Sequence, residues 1–326
     1  MVKAAIRATG SYVPDTIVTN DELAKTIDTW DQWIVSHTGI RRRHIAGATE
    51  ATSDLAVNAS VAALAKAGMD AADIDLVLVA TATPDYNSFP STACLVQERI
   101  GASKAAAMDI VAACTGFIYA VETASTFVRS QSAKTVLVIG SETFSRIVDW
   151  SDRNTCVLFG DGAGAVIMSA VEDDRGVLRS FLRSEGSGAE HLWVPAGGSR
   201  RPFQFGKTPT HEACVQMNGR QVYTFAIRVI GETIEALLGS EFSLHDISYV
   251  VPHQANQRII EAAAKRLSVP EEKFYTNIAE YANTSAASVP IALDEMAERG
   301  LLKRGDLIVT VGFGGGLTYG GNLIRW

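Results

Sequence analysis

Apolar positions along the chain fall into two alternating spacings. Short, largely apolar runs predict strands at Lys3–Thr9, Ile74–Ala80, Met108–Ala113 and Thr135–Gly140. Between them, apolar residues recur every three or four positions. That spacing predicts helices over Thr52–Ala67 (stopped by Gly68), Thr92–Ile100 (stopped by Gly101) and Thr115–Arg129. Gly10–Pro14 reads as a turn. Thr19–Glu22 supplies capping residues for a helix running to about Ile27. Asp28–Ile40 places Trp30 and Trp33 on one helical face, either as core or as a flat platform for a ligand ring. FGDGAGA (Phe159–Ala165) is glycine-rich, but its GxGxG spacing and the strand-like Val166–Ser169 after it do not fit a dinucleotide fingerprint. It is read as a tight backbone turn, with a further turn at Asp173–Gly176.

The pattern then repeats. Strands near Ile6, Leu76 and Val136 are matched, at closely similar intervals, by strands near Leu178, Tyr249 and Leu307. Lys273–Ile278 falls where Met108–Ala113 falls, and Ser285–Arg299 where the helix after Cys114 falls. Two similar α/β halves follow, residues 1–170 and 171–326, with sheets sandwiched by helices. A pseudo-two-fold of this kind places the two strand-to-helix junctions facing one another.

Composition narrows the partners. The chain has 326 residues, 47% hydrophobic, with a net charge of −7, which argues against nucleic acid or an anionic membrane as the main partner. No apolar run approaches the ~18 residues of a membrane span, and the first residues lack a signal-type apolar core. Cys94, Cys114, Cys156 and Cys214 are scattered, as expected for reduced thiols of a cytoplasmic protein. The six histidines show no metal-ligand spacing.

Candidate chemistry collects at the junctions. Cys114 lies between a strand and a helix, where unpaired N–H groups favour a thiolate, and Ala112, Ala113 and Gly116 leave room for a carbonyl. A buried structural cysteine is the alternative. His253 follows a strand in VVPHQAN, Asn283 precedes the mirror helix, and FGGG (Phe313–Gly316) follows a strand. Singly, these read as a structural histidine, a cap and a turn. Together they make a nucleophile, a polar partner pair and a source of backbone N–H groups. Arg41–His44 is a solvated basic face or a contact for phosphate or an acidic partner. Phe89, in a loop with two prolines, is a subunit contact or a pocket wall.

In order along the chain, GSYVP (Gly10–Pro14), WIVSHTGIRRRHI (Trp33–Ile45), VAACTGF (Val111–Phe117), FGDGAGA, VPHQAN, NTSAASVP (Asn283–Pro290) and FGGG resemble the β-ketoacyl-[acyl-carrier-protein] synthase III family, from Ala4 to Trp326. The resemblance implies a thiolase-like fold, a five-layered α-β-α-β-α sandwich. It implies decarboxylative Claisen condensation of an acyl-CoA primer with malonyl-[acyl-carrier protein], starting fatty-acid synthesis. Cys114 would be the nucleophile and His253 and Asn283 its partners. The backbone of Cys114 and Gly315 would form an oxyanion hole. Thr29, Trp33, Arg153 and Asn256 would lie near coenzyme A. Gln254, Ala255, Asn256, Gln257 and Arg258 would contact the carrier protein. Phe89 would reach the acyl pocket of a partner in a homodimer. No metal, flavin or nicotinamide is implied. Three positions depart from the family pattern: His37 where arginine is frequent, Asn154 where glycine is common, and Thr224 where a lysine often lies. They leave open a secondary-metabolism ketosynthase or acyltransferase of the same fold. A papain-like hydrolase shares the order Cys, His, Asn but lacks the local signature and has a different fold pattern.

Overall fold

The computed structural model describes residues 3–326. Strands Lys3–Tyr12 (β1), Leu76–Ala80 (β2), Ala106–Ile110 (β3), Thr135–Glu142 (β4) and Gly162–Val171 (β5) form one sheet in the order β1-β5-β4-β2-β3. Strands Gly176–Ser184 (β6), Tyr249–Pro252 (β7), Leu307–Gly314 (β8) and Thr318–Arg325 (β9) form the second, in the order β7-β8-β9-β6. The strands that feed the site, β2 with β4 and β7 with β8, pair in parallel. β2 reads LVLVA because it is buried along its whole length, with helices on both faces.

Helices Gly116–Arg129 (α3) and Ser288–Glu298 (α6) pack between the sheets. Thr52–Ala67 (α1) and Thr92–Ile100 (α2) cover the outer face of the first sheet. Gly219–Leu238 (α4) and Gln257–Leu267 (α5) cover that of the second. The result is a five-layered α-β-α-β-α sandwich. Separate apolar clusters fill the middle of the molecule and each sheet's outer face.

The duplication is visible in the backbone. Ala113 (φ 44°) and Ser285 (φ 49°) each open a short 3-10 turn that runs directly into a central helix. Cys114 and Ala286 therefore occupy equivalent places. The second half differs in one respect. Lys273–Ile278 is not a strand, and only Phe274 bridges to Val250, so the repeat's fifth strand is reduced to one pair.

Several local expectations are corrected. Gly10 does not open a turn; β1 continues to Tyr12, with Gly10 opposite Ala165 on β5. FGDGAGA is not a tight turn either, since Gly162–Ala165 is the start of β5. Its glycine admits α6: a Cβ on Gly164 would sit 2.6 Å from the Ile291 nitrogen. The helix expected to reach Ile27 stops at Leu23, although Thr19 and Glu22 do form its capping box. Trp30 caps the helix Asp31–Thr38 rather than lying within it. The strand expected at Met108–Ala113 lies at Ala106–Ile110, on the sheet's edge and half exposed.

Candidate active site

Cys114 sits in the 3-10 turn Ala113–Thr115, directly before α3. Opposite it is Gly314, at the end of β8. A Cβ there would lie 2.7 Å from the Cys114 Cβ, so a side chain at that position would displace Cys114. The thiol is buried, and burial pushes it up to about 12. This opposes the helix terminus: in the substrate-free protein Cys114 is held as a thiol, not the thiolate its position alone suggests.

His253 lies just beyond β7 and donates its backbone N–H to Val311 O at 2.7 Å. Its ring meets Phe313 edge-on, with centroids 5.3 Å apart, and Nδ1 is 2.7 Å from Ser288 Oγ. Nε2 is the ring nitrogen left for the cavity. Burial drives the imidazole down to about 3, so it is neutral at physiological pH.

Asn283 is held from both halves of the chain. Its backbone N–H donates to Leu158 O at 2.9 Å, and its carbonyl accepts from Gly160 N–H at 3.1 Å. Its side-chain Oδ1 accepts the Ser285 N–H at 2.9 Å, leaving the NH₂ end as the donor for the cavity. The backbone N–H groups of Cys114 and Gly315 donate to no other group among the described residues. Cys114, His253, Asn283, Phe159 and Phe313 converge on one cavity of about 720 Å³.

The cavity mouth is aromatic and cationic. Trp33 stacks on His37 with centroids 4.5 Å apart, and the Arg153 guanidinium lies 4.8 Å from the Trp33 ring centroid. His37 thus occupies its departure from the family pattern as a stacking partner of Trp33. Asn154 also lines the cavity. Asn256 caps α5, accepting from Arg258 N–H at 2.9 Å, and donates to His37 O at 3.0 Å. Thr29 does not line the cavity; it is buried, with no partner for Oγ1 among the described residues.

The proposed carrier segment divides. Gln254 is buried, donating to Pro252 O and Tyr275 O and accepting from Asn277 N–H, so it cannot meet a partner. Ala255 and Asn256 line the cavity, Gln257 is half-buried and accepts from Thr276 Oγ1, and Arg258 is exposed. Thr224 is exposed on α4. Phe89 is 85% exposed and lies outside the cavity of its own chain. Sequence reasoning missed one wall, made by Leu192, Trp193, Gln216 and Met217. These come from two short strands paired to each other, too brief to give a periodic signal.

A buried cysteine before a central helix, two neutral donors from the mirror half and free backbone N–H groups define a thiolase-fold condensing enzyme, an acyltransferase. Residues 108–186 match the family model for 3-oxoacyl-[acyl-carrier-protein] synthase III, and residues 238–326 match the model for its C-terminal part. The β-ketoacyl-[acyl-carrier-protein] synthase III of Natranaerobius thermophilus is 51% identical, over the full length of both chains. The solved structure of 3-oxoacyl-[acyl-carrier-protein] synthase III from Aquifex aeolicus superposes with a TM-score of 0.92 at 44% identity, covering 99% of this chain and 100% of that one. A priming β-ketosynthase of the R1128 polyketide pathway superposes with a TM-score of 0.92 at 34% identity, covering 99% and 96%. The chain belongs to the β-ketoacyl-[acyl-carrier-protein] synthase III family, and its activity is the condensation that initiates fatty-acid synthesis. Among the described residues no helix is long and apolar enough to cross a membrane.

Proposed function

We propose that Cys114 takes the acyl group from an acyl-CoA, and that His253 and Asn283 then drive decarboxylation of malonyl-[acyl-carrier protein] in the same cavity. The observation that carries this reading is the separation of donors around one space. The free N–H groups of Cys114 and Gly315 suit the oxyanion of acyl transfer. With Ser288 Oγ donating to Nδ1, the proton of the neutral His253 ring sits on Nε2, and this N–H and the NH₂ of Asn283 suit the enolate oxygen that forms as CO₂ leaves. Both side chains are neutral, so neither holds the malonyl carboxylate in place as a cation would. The enolate carbon attacks the acyl-Cys114 carbonyl, and the sulfur departs. Trp33 and Arg153 at the mouth suit an adenine ring and a phosphate of coenzyme A. This reading needs no metal or organic cofactor, and it places the enzyme in the cytoplasm, where both thioesters are made. The two halves, 1–170 and 171–326, supply the nucleophile and the donor pair respectively.

Mass spectrometry of the protein exposed to a panel of acyl-CoAs, followed by malonyl-carrier protein, tests it. An acyl adduct on Cys114, discharged as a β-ketoacyl-carrier product, is expected. An adduct that transfers to another acceptor without loss of CO₂ would favour the starter-unit acyltransferase instead.

The surface around β3 supports a homodimer. This strand has a free edge, and Met108, Val111, Tyr86 and Phe89 beside it are exposed apolar residues. An open edge with an apolar rim suits pairing with a second copy, which would carry Phe89 into the partner's acyl pocket. Sedimentation should give twice the 34.9 kDa chain mass. Phe89→Thr should improve use of longer or branched acyl-CoAs by opening volume. A monomer, or an unchanged acyl profile, would remove Phe89 from the pocket.

The carrier contact rests on Arg258, exposed on a chain that is net acidic. Arg258→Glu should raise KM for malonyl-carrier protein about three- to tenfold, the scale of an exposed charge contact, and leave acyl-CoA loading unchanged. A matching defect in loading would make the residue structural.

A further inference from the structure

Glu142 ends β4 fully buried and faces no cation among the described residues. Its carboxylate accepts from Thr83 Oγ1 at 2.6 Å, Thr81 Oγ1 at 3.2 Å and Ala82 N–H at 3.1 Å. A buried carboxylate held only by neutral donors is costly, and nothing in the reaction above uses it. Across from it stands Ser285. Its φ of 49° is left-handed, an arrangement that costs a residue with a side chain about 1–3 kcal/mol. Its hydroxyl is buried beside both the Cys114 sulfur and the Glu142 carboxylate, and it has no other polar partner among the described residues. A strained turn thus holds a hydroxyl between a thiol and a carboxylate.

We propose that Glu142, acting through Ser285, receives the Cys114 proton when the sulfur is acylated and returns it when the product leaves. In the first half-reaction the thiol S–H bond breaks as its proton passes to Ser285 Oγ, whose own proton passes to the Glu142 carboxylate. The sulfur bonds to the acyl carbon, and coenzyme A leaves as a thiolate that takes a proton from water. In the second, the Cys114 sulfur leaves the new β-ketoacyl chain as a thiolate, and the proton returns from Glu142 through Ser285. One proton is consumed per turnover, which balances the conversion of the malonyl carboxylate to CO₂.

The surroundings fit such a store. β2 and the loop after it present Thr81, Ala82 and Thr83 to Glu142, the turn before α6 presents Ser285 and Ala286, and the turn before α3 presents Cys114. The neighbouring strand places Gly162 opposite it in register. The nearby Asp161 is engaged by Ala46 N–H and by Ser145. Cys114 is a titratable group that faces Glu142. Burial raises both groups, the thiol to about 12 and the carboxyl to about 7, and a charge on Glu142 raises Cys114 further. The site therefore tolerates one negative charge. Moving the proton from thiol to carboxylate relocates that charge without adding a second.

The inference rests on acyl transfer through Cys114, so its test avoids the substrates. Alkylation of Cys114 by iodoacetamide, resolved from the exposed Cys94 by peptide mass, is followed against pH. In the wild type its rate should rise through about pH 7, where Glu142 becomes a carboxylate. Glu142→Gln should lose that rise and slow alkylation about 10²-fold, the lower range of a positioned base, and Glu142→Asp should restore part of it. Ser285→Ala should lose the rise with Glu142 still in place. An unchanged profile in folded Glu142→Gln overturns the proposal. If that variant does not fold, an unchanged profile in Ser285→Ala overturns it equally. A wild type that shows the alkylation step but never gains an acyl group would refute acyl loading and leave the proton store standing.

Discussion

Asn283→Ala should load an acyl group onto Cys114 at close to the normal rate and make almost no β-ketoacyl product. The charge that appears in each half-reaction lies in a different place. Acyl transfer puts an oxyanion near the backbone N–H groups of Cys114 and Gly315, which this substitution does not touch. On the proposed assignment, decarboxylation puts charge on the malonyl thioester oxygen, where the Asn283 NH₂ and His253 Nε2 would be the donors. Losing one such donor costs about 10²–10³ in rate. The substitution also leaves the Ser285 N–H without its Oδ1 acceptor, at a cost of about 1–3 kcal/mol in stability. A melting curve therefore accompanies the assay. Asn283→Asp separates the two effects. It keeps the acceptor for Ser285 but places a negative charge where the enolate forms, so stability should recover while condensation stays low. His253→Ala should resemble Asn283→Ala. Because His253 stays neutral down to about pH 3, its ionisation should put no limb in the condensation profile near neutrality. A folded Asn283→Ala that failed to load would reassign the residue to acyl transfer.

How far the sequence reveals this molecule depends on what buries each residue. The strand at 76–80 and the helices ended by Gly68 and Gly101 were legible because local pattern and burial agree there. The edge strand was misplaced toward Ala113. Its apolar residues are not covered within one chain, so the apolar run marked a surface and not a core. At 273–278 the repeat suggested a strand, but only one bridge formed, and Gln254 fills the space beside it by bonding Tyr275 O and Asn277 N–H. The same bonds removed Gln254 from the surface where the resemblance had put it. That Cys114, His253 and Asn283 share one cavity was legible through their motifs and their place in the repeat. Glu142 was not. Written in sequence it is one acid at the end of a strand, and its burial depends on threonines some sixty residues earlier in the chain. Ser285 was legible only as the start of the mirror helix and a letter in NTSAASVP, because its left-handed backbone carries no glycine to announce it.

Cys114→Ala should abolish condensation, by more than about 10⁴-fold, while malonyl thioester still loses CO₂. The substitution removes the only thiol that lines this cavity among the described residues, so mass spectrometry should find no adduct with any acyl-CoA. It leaves the decarboxylating pair intact, because none of their supports passes through the sulfur. His253 is fixed by Val311, Ser288 and Phe313, and Asn283 by Leu158, Gly160 and Ser285. The replaced side chain is small and sits against Gly314, so the fold should survive with little change in melting temperature. The enolate that forms has no acyl carbonyl to attack, so it takes a proton from water and is released as the acetyl thioester. Acetyl-carrier protein should therefore accumulate in proportion to CO₂. If Cys114→Ala released no CO₂ while remaining folded, the sulfur would be part of the malonyl site, and the division of labour between the two halves of the chain would be wrong.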